Sequence, residues 1–141
     1  MSTNTKGNII PGLRYADAPA AIEFLCRAFG FEQRLVVPGG DDGTIAHAQL
    51  TLGNGMIMLG TARDDEYGKL MSLPANIGGT TQAAYIVVDE IDAHYEQAKT
   101  AGAEIVMELA AQEHGGSMYS ARDPEGHLWN FGSYDPWQQP G

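Results

Sequence analysis

Basic residues are scarce in this sequence: 8 Lys+Arg stand against 18 Asp+Glu in 141 residues, for a formal net charge of −10. No basic cluster is present to release counterions from a phosphate backbone, which excludes nucleic acid as a partner class. Anionic membrane surfaces are disfavoured for the same reason. Cysteine is reduced to Cys26, which cannot form an internal disulfide and points to a reducing cytoplasm. Long apolar runs are missing too. The longest, Tyr85-Ile86-Val87-Val88 and Met56-Ile57-Met58-Leu59, fall far short of the roughly 18 residues of a membrane span. Residues 1–8 are polar with no apolar stretch behind them, so no secretory signal is read there. No G-x-G-x-x-G or P-loop follows a strand, and nucleotide cofactors have no support. The expectation is a soluble, cytoplasmic protein with no nucleic-acid or membrane partner.

What is present is an ordinary globular balance, 43% apolar and 18% charged, enough for one core. The chain also repeats. Asp17, Gly30 and Glu32 recur 72 residues on as Asp89, Gly102 and Glu104, and Leu13-Arg14-Tyr15 lands on Tyr85-Ile86-Val87. Each half reads as strand, helix, then three strands.

In the first half, residues 9–15 are rich in strand formers. Asp17 supplies an N-cap oxygen and Pro19 sits in the opening turn, where its missing N–H costs nothing. Ile22, Leu25, Cys26 and Phe29 follow at i, i+3, i+4 and i+7, one buried helical face, and Gly30 suits the left-handed residue that ends such a helix. Residues 31–37 predict a strand and 38–43 a turn cluster. In 44–52, Ile45, His47, Gln49 and Thr51 alternate with Ala46, Ala48, Leu50 and Leu52, and Gly53-Asn54-Gly55 turns the chain back into 56–60. The second half predicts a strand over 81–88, a helix capped by Asp89 and ended by Gly102, and strands over 105–109, 117–122 and 128–133. Residues 61–80 read as a mobile loop between module one (9–60) and module two (81–134), and residues 134–141 as coil. Units of about fifty residues bury too little alone, so the two are expected to share surface. The resulting class is α+β, two βαβββ modules sharing a curved sheet around a concave cavity with helices on the convex side.

This repeat, together with Leu13-Arg14-Tyr15-Ala16-Asp17, Val87-Val88-Asp89 and Asp123-Pro124-Glu125-Gly126-His127-Leu128-Trp129, resembles the vicinal oxygen chelate superfamily, which includes glyoxalase I, extradiol dioxygenases, fosfomycin-modifying enzymes and bleomycin resistance proteins. The resemblance runs from about residue 9 to residue 134. It implies a site in the hollow where family enzymes hold a divalent metal with four side chains, usually His, Glu or Gln. Carried over by position, these become Ile10, Met58, Gln82 or Ala83, and Asn130. Ile10 and Met58 suit no hard or borderline dication, and Asn130 and Gln82 bring no charge to offset dehydrating one, so no metal and no other cofactor is expected.

The ligand-binding candidates are His47, Gln49, Met56, Met58, Gln82, Tyr85, Tyr119, Leu128 and Asn130, with Tyr134 and Trp137 as further stacking or subunit-contact residues. The methionines offer an adaptable, polarizable wall. The histidines His47, His94, His114 and His127 show no ligand spacing; His94 and His127 are expected at the surface or in a second layer, and His114 at the mouth. Asp123-Pro124-Glu125-Gly126 is read as a structural turn, with Asp123 accepting backbone N–H bonds, rather than as a catalytic carboxylate pair. Trp129 and Phe131 are expected against the second helix. The resemblance implies a homodimer that sequesters a small molecule without metal; the alternative is a lyase- or dioxygenase-like enzyme with an atypical site using His47, Gln82 or Asn130.

Overall fold

The structure, a computed structural model, describes residues 4–40 and 42–138; residues 1–3, residue 41 of the turn cluster and residues 139–141 of the tail lie outside the described residues. The chain opens with β1 (Gly12–Tyr15) and enters α1 (Ala18–Phe29). Asp17 caps that helix by accepting from the Ala20 N–H at 3.2 Å, and Gly30, at φ 85°, ends it in the left-handed region. The buried stripe includes Ala18, Ile22, Leu25 and Phe29; withdrawing each Leu, Ile or Phe contributes about 1.5–3 kcal/mol. Cys26 lies at the edge of that stripe, where burial pushes its thiol pKa up. Such a thiol is a poor nucleophile.

Strands β2 (Glu32–Pro38), β3 (Ile45–Leu52) and β4 (Gly55–Thr61) complete the first module, and β1 returns to pair parallel with β4. The second module repeats the order with β5 (Ala84–Val87), α3 (Ile91–Thr100), β6 (Glu104–Ala111), β7 (Ser117–Arg122) and β8 (Leu128–Gly132). Its sheet order, β5-β8-β7-β6, matches the β1-β4-β3-β2 of the first. The class is α+β with two βαβββ modules, and each module makes its own four-stranded sheet. Between them, residues 62–83 hold a 3-10 turn (Gly68–Leu70) and the short helix α2 (Pro74–Ile77), where the sequence alone suggested only loop.

The capping of α3 differs from expectation. Its N-cap is Glu90, not Asp89, and no side chain caps it. The Val88 N–H is drawn to the Gly132 carbonyl at 2.8 Å, which extends the strand pairing and starts the helix one residue late.

One aromatic core joins the modules. Phe29 of α1 lies 4.7 Å from Phe131 and 5.9 Å from Trp129, and Phe31 lies 5.7 Å from Trp129. Across the helix pair, Arg27 donates to the Ala101 carbonyl at 2.8 Å and Gln97 donates to the Arg27 carbonyl at 2.9 Å. The turn before β8 is a second junction. Asp123, nearly fully buried, accepts from the Tyr15 hydroxyl at 2.6 Å, from the Trp129 indole N–H at 3.1 Å and from the backbone of Glu125 and His127. Glu125 accepts from the Ala16 and Asp17 N–H groups just ahead of α1, at 2.7 and 2.8 Å. The turn is structural, as its residue types implied, and it fastens one module to the other.

Candidate functional site

Period-two alternation divides each sheet into a face against the helix and an open face. In the first sheet Ala48, Leu50, Ile57 and Leu59 are buried against α1. The register sets Gln49 beside Met58, Thr51 beside Met56, Val37 beside His47, and Arg14 beside Gly60 on the other face. In the second sheet Tyr85 and Ser120 flank Asn130, and Leu128 pairs with Arg122, again on the open face.

The predicted residues therefore fall into two sets. His47, Gln49, Met56 and Met58 share the first open face; Tyr85, Leu128 and Asn130 share the second. A cavity of about 180 Å³ over the first sheet is lined by His47 and Met58 together with Arg14, Tyr67 and Met71. A cavity of about 450 Å³ between the start of β1, the start of β5 and the connecting segment is lined by Gln82 and Leu128, with Pro11, Leu13, Met71 and Ile77. Gln49, Met56, Tyr85 and Asn130 line neither.

Tyr119 is placed elsewhere. It is fully buried on the helix face of β7, paired with Phe131, and burial raises its hydroxyl pKa far above the ordinary tyrosine value. It belongs to the core rather than to a binding wall. The signal was available: Trp129 and Phe131 read as core, and an antiparallel neighbour opposite Phe131 shares its face.

His94 is half-buried in a second layer behind the Tyr119 and Phe131 rings. It is wedged between the modules, with Nε2 2.7 Å from the Phe29 carbonyl and Nδ1 2.7 Å from the Tyr119 hydroxyl. A carbonyl only accepts, so Nε2 carries the proton and Nδ1 accepts from Tyr119. Burial lowers the His94 pKa, opposed in part by the bond to Phe29. His127 is tied to the Arg14 carbonyl at 2.9 Å with its ring 4.6 Å from Tyr15, in a second layer. His114 stands 4.7 Å from Tyr134, while Trp137 is 92% exposed.

Polar groups on the open faces are largely engaged. The Asn130 Oδ1 accepts from the Ser120 hydroxyl at 2.6 Å and its Nδ2 donates to the Ala84 carbonyl at 3.1 Å. Tyr85 lies over Gly132 and donates to the Tyr134 carbonyl at 2.7 Å. Gln49 and His47 meet at 3.2 Å. Against the divalent ion held by the enzymes this repeat resembles, the donor set does not fit. Ile10 is hydrocarbon, Met58 a soft thioether, and the Asn130 amide is committed to Ser120 and Ala84. Among the described residues no three His, Cys, Asp or Glu side chains converge as a metal cluster.

The profile of the Glyoxalase/Bleomycin resistance protein/Dioxygenase superfamily matches residues 10–131. Rv0887c of Mycobacterium tuberculosis, an uncharacterised protein, is 33% identical over 132 residues, covering 94% of this chain and 77% of that protein. The crystal structure of TioX from Micromonospora sp. ML1 is similar at 34% identity with a TM-score of 0.71, covering 89% of this chain and 97% of TioX. A mutant of the fosfomycin resistance protein FosX from Listeria monocytogenes, complexed with Mn(II) and a dihydroxypropylphosphonic acid, shares the fold at 14% identity and TM-score 0.65, over 94% of this chain and 93% of that one.

Proposed function

The chain belongs to the Glyoxalase/Bleomycin resistance protein/Dioxygenase superfamily, and from that footing we propose that it is a metal-independent small-molecule binding protein that acts by sequestration. The observation that carries this is the chemistry at the positions corresponding to the family's metal ligands. An aliphatic residue, a thioether, the uncharged Gln82 or Ala83 and an amide already engaged by Ser120 and Ala84 stand there, with no imidazole or carboxylate among them. Around them the first open face offers Met56, Met58, His47 and Gln49, a polarizable wall with a few polar groups of the sort that orients flat ligands.

The working form proposed is a homodimer in the cytoplasm. Exposed apolar side chains on the sheets, Leu35, Val37, Tyr85, Val87 and Met107, support it. So does the division of the candidate residues into two half-sites, which a second copy can complete in a closed two-fold arrangement. Lone Cys26 supports a reducing compartment.

The test is a thermal-shift screen of metal-stripped protein against planar antibiotics, bleomycin included, and against the hemithioacetal of methylglyoxal with glutathione. A ligand that binds only the folded state raises Tm. The expected result is a shift with a planar compound, unchanged in EDTA and without turnover of the compound. Turnover that depends on an added divalent ion contradicts sequestration.

A further inference from the structure

All eight Lys and Arg side chains lie among the described residues, and seven of them are exposed; Arg14 alone is partly withdrawn from solvent. Among the described residues it also has no carboxylate partner. The ion pairs among the described residues use Arg27 with Glu23, Lys99 with Glu96 and Arg122 with Glu104. In so acidic a chain, a half-buried cation that no described carboxylate pairs with is an omission that the sequence had many ways to fill. Its guanidinium lies 5.1 Å from the centre of the Tyr67 ring and spends one N–H on the Thr61 carbonyl at 3.4 Å. Most of its planar donor fork remains unused.

The surroundings are shaped to this group. A Cβ at Gly60 would come within 2.8 Å of Arg14 Nη1 and 3.0 Å of the Ala46 carbonyl, so the glycine leaves the space in which the guanidinium lies. Arg14 lines the cavity of about 180 Å³ together with His47, Met58, Tyr67 and Met71. With the Gln49 amide nitrogen donating to His47 Nε2, the ring proton sits on Nδ1, which is a further donor. Cation, aromatic plate, imidazole donor and two thioethers thus converge on one opening.

We propose that this cavity is a carboxylate subsite, in which Arg14 takes the two oxygens of a planar organic acid while Met58, Met71 and Tyr67 pack against the carbon skeleton. The proposal rests on the reading of the chain as a small-molecule binder and adds the charge and shape of what it takes. A bidentate fork matches a carboxylate in plane, whereas a neutral amide of the same outline loses the charge-assisted bonds.

The experiment is calorimetric titration of the full-length, metal-stripped protein with 2-naphthoate, with its neutral counterpart 2-naphthamide, and with inorganic phosphate. The expected result is binding of the naphthoate at least about tenfold tighter than the naphthamide, with phosphate weaker than the naphthoate. Arg14→Gln should erase the preference by weakening the naphthoate far more than the naphthamide, and Arg14→Lys should retain part of it. If Arg14→Gln does not fold, Gly60→Ala, which displaces the guanidinium, is expected to erase the same preference. Equal affinities for the two naphthalenes, a preference that survives loss of the guanidinium, binding of neither compound, or tighter binding of phosphate overturns the subsite. Equal affinities leave sequestration standing, whereas one divalent ion per chain removes sequestration and leaves the charge preference to be judged by its own titration.

Discussion

The hydroxyl of Tyr15, at the end of the first strand, donates to the carboxylate of Asp123, which lies 108 residues later, at 2.6 Å. Neither residue is part of a binding wall. Asp123 gathers four donors: two from its own turn, one from Trp129 and this one from the other module. Burial and the neighbouring carboxylate raise the Tyr15 pKa well above the ordinary value, so the phenol stays a donor. The pair therefore couples the start of module one to the last turn of module two.

Asp123→Asn is expected to destabilise the protein by about 2 kcal/mol or more, because a buried charged acceptor with several donors is lost. Tyr15→Phe should cost about 1–2 kcal/mol. Urea unfolding of both single variants and the double variant measures the coupling. Costs that simply add would show that the pair does not act as a unit.

Glu125 offers a milder probe of the same junction. Its carboxylate accepts from two N–H groups ahead of α1, where the helix dipole favours negative charge. Glu125→Gln should lower stability by about 0.5–1 kcal/mol, with the loss shrinking in high salt. Thermal melts at two ionic strengths report both effects.

His94 gives the fold a pH dependence. Burial lowers its native pKa from the ordinary 6.5, while the unfolded chain keeps the ordinary value. The groups bonded to it are the Phe29 carbonyl and the Tyr119 hydroxyl, and the Phe29 and Phe131 rings lie beside it. As pH falls through 6.5 the unfolded state takes up a proton that the native state resists. Stability is thus complete above that value and declines below it toward the lowered native pKa, with a slope of at most about 1.4 kcal/mol per pH unit. Urea unfolding at pH 5.5 and 7.5 should show the decline in the wild type and a flatter profile in His94→Gln.

Gly132 holds the Tyr85 ring in place. A Cβ there would fall 2.8 and 2.9 Å from two ring carbons, so Gly132→Ala must push the ring aside and break its bond to the Tyr134 carbonyl. Overpacking of this kind costs about 1–3 kcal/mol, and the displacement should appear as altered Tyr85 ring shifts by NMR. Unchanged shifts and stability would show that Tyr85 is already free to move.

How legible these features were depended on how local they are. Asp17 and Gly30 bound α1 through contacts within one turn, and both were readable as a cap and a stop. The β3 alternation likewise put His47 and Gln49 on one face and Ala48 and Leu50 on the other. Asp89 misled because its neighbour Val88 continues the pairing with Gly132, a partner more than forty residues away. Tyr119 was misplaced although the alternation that put Trp129 and Phe131 in the core also placed it there, and the His94 bond to the Phe29 carbonyl forms only when the two helices pack. Arg14 was visible as a strand residue, but its lack of a carboxylate partner among the described residues is a property of the assembled face. The open faces themselves were foreseeable from periodicity, whereas the cavities depend on where residues 62–83 lie across them.

The central claim, sequestration without a metal, is met most directly by elemental analysis of the full-length protein purified in buffer supplemented with Mn²⁺, Ni²⁺ and Zn²⁺. The account predicts well under one divalent ion per chain and ligand-induced Tm shifts that EDTA leaves unchanged. One ion per chain, with anomalous scattering locating it among Met58, Gln82 and Asn130, would contradict it.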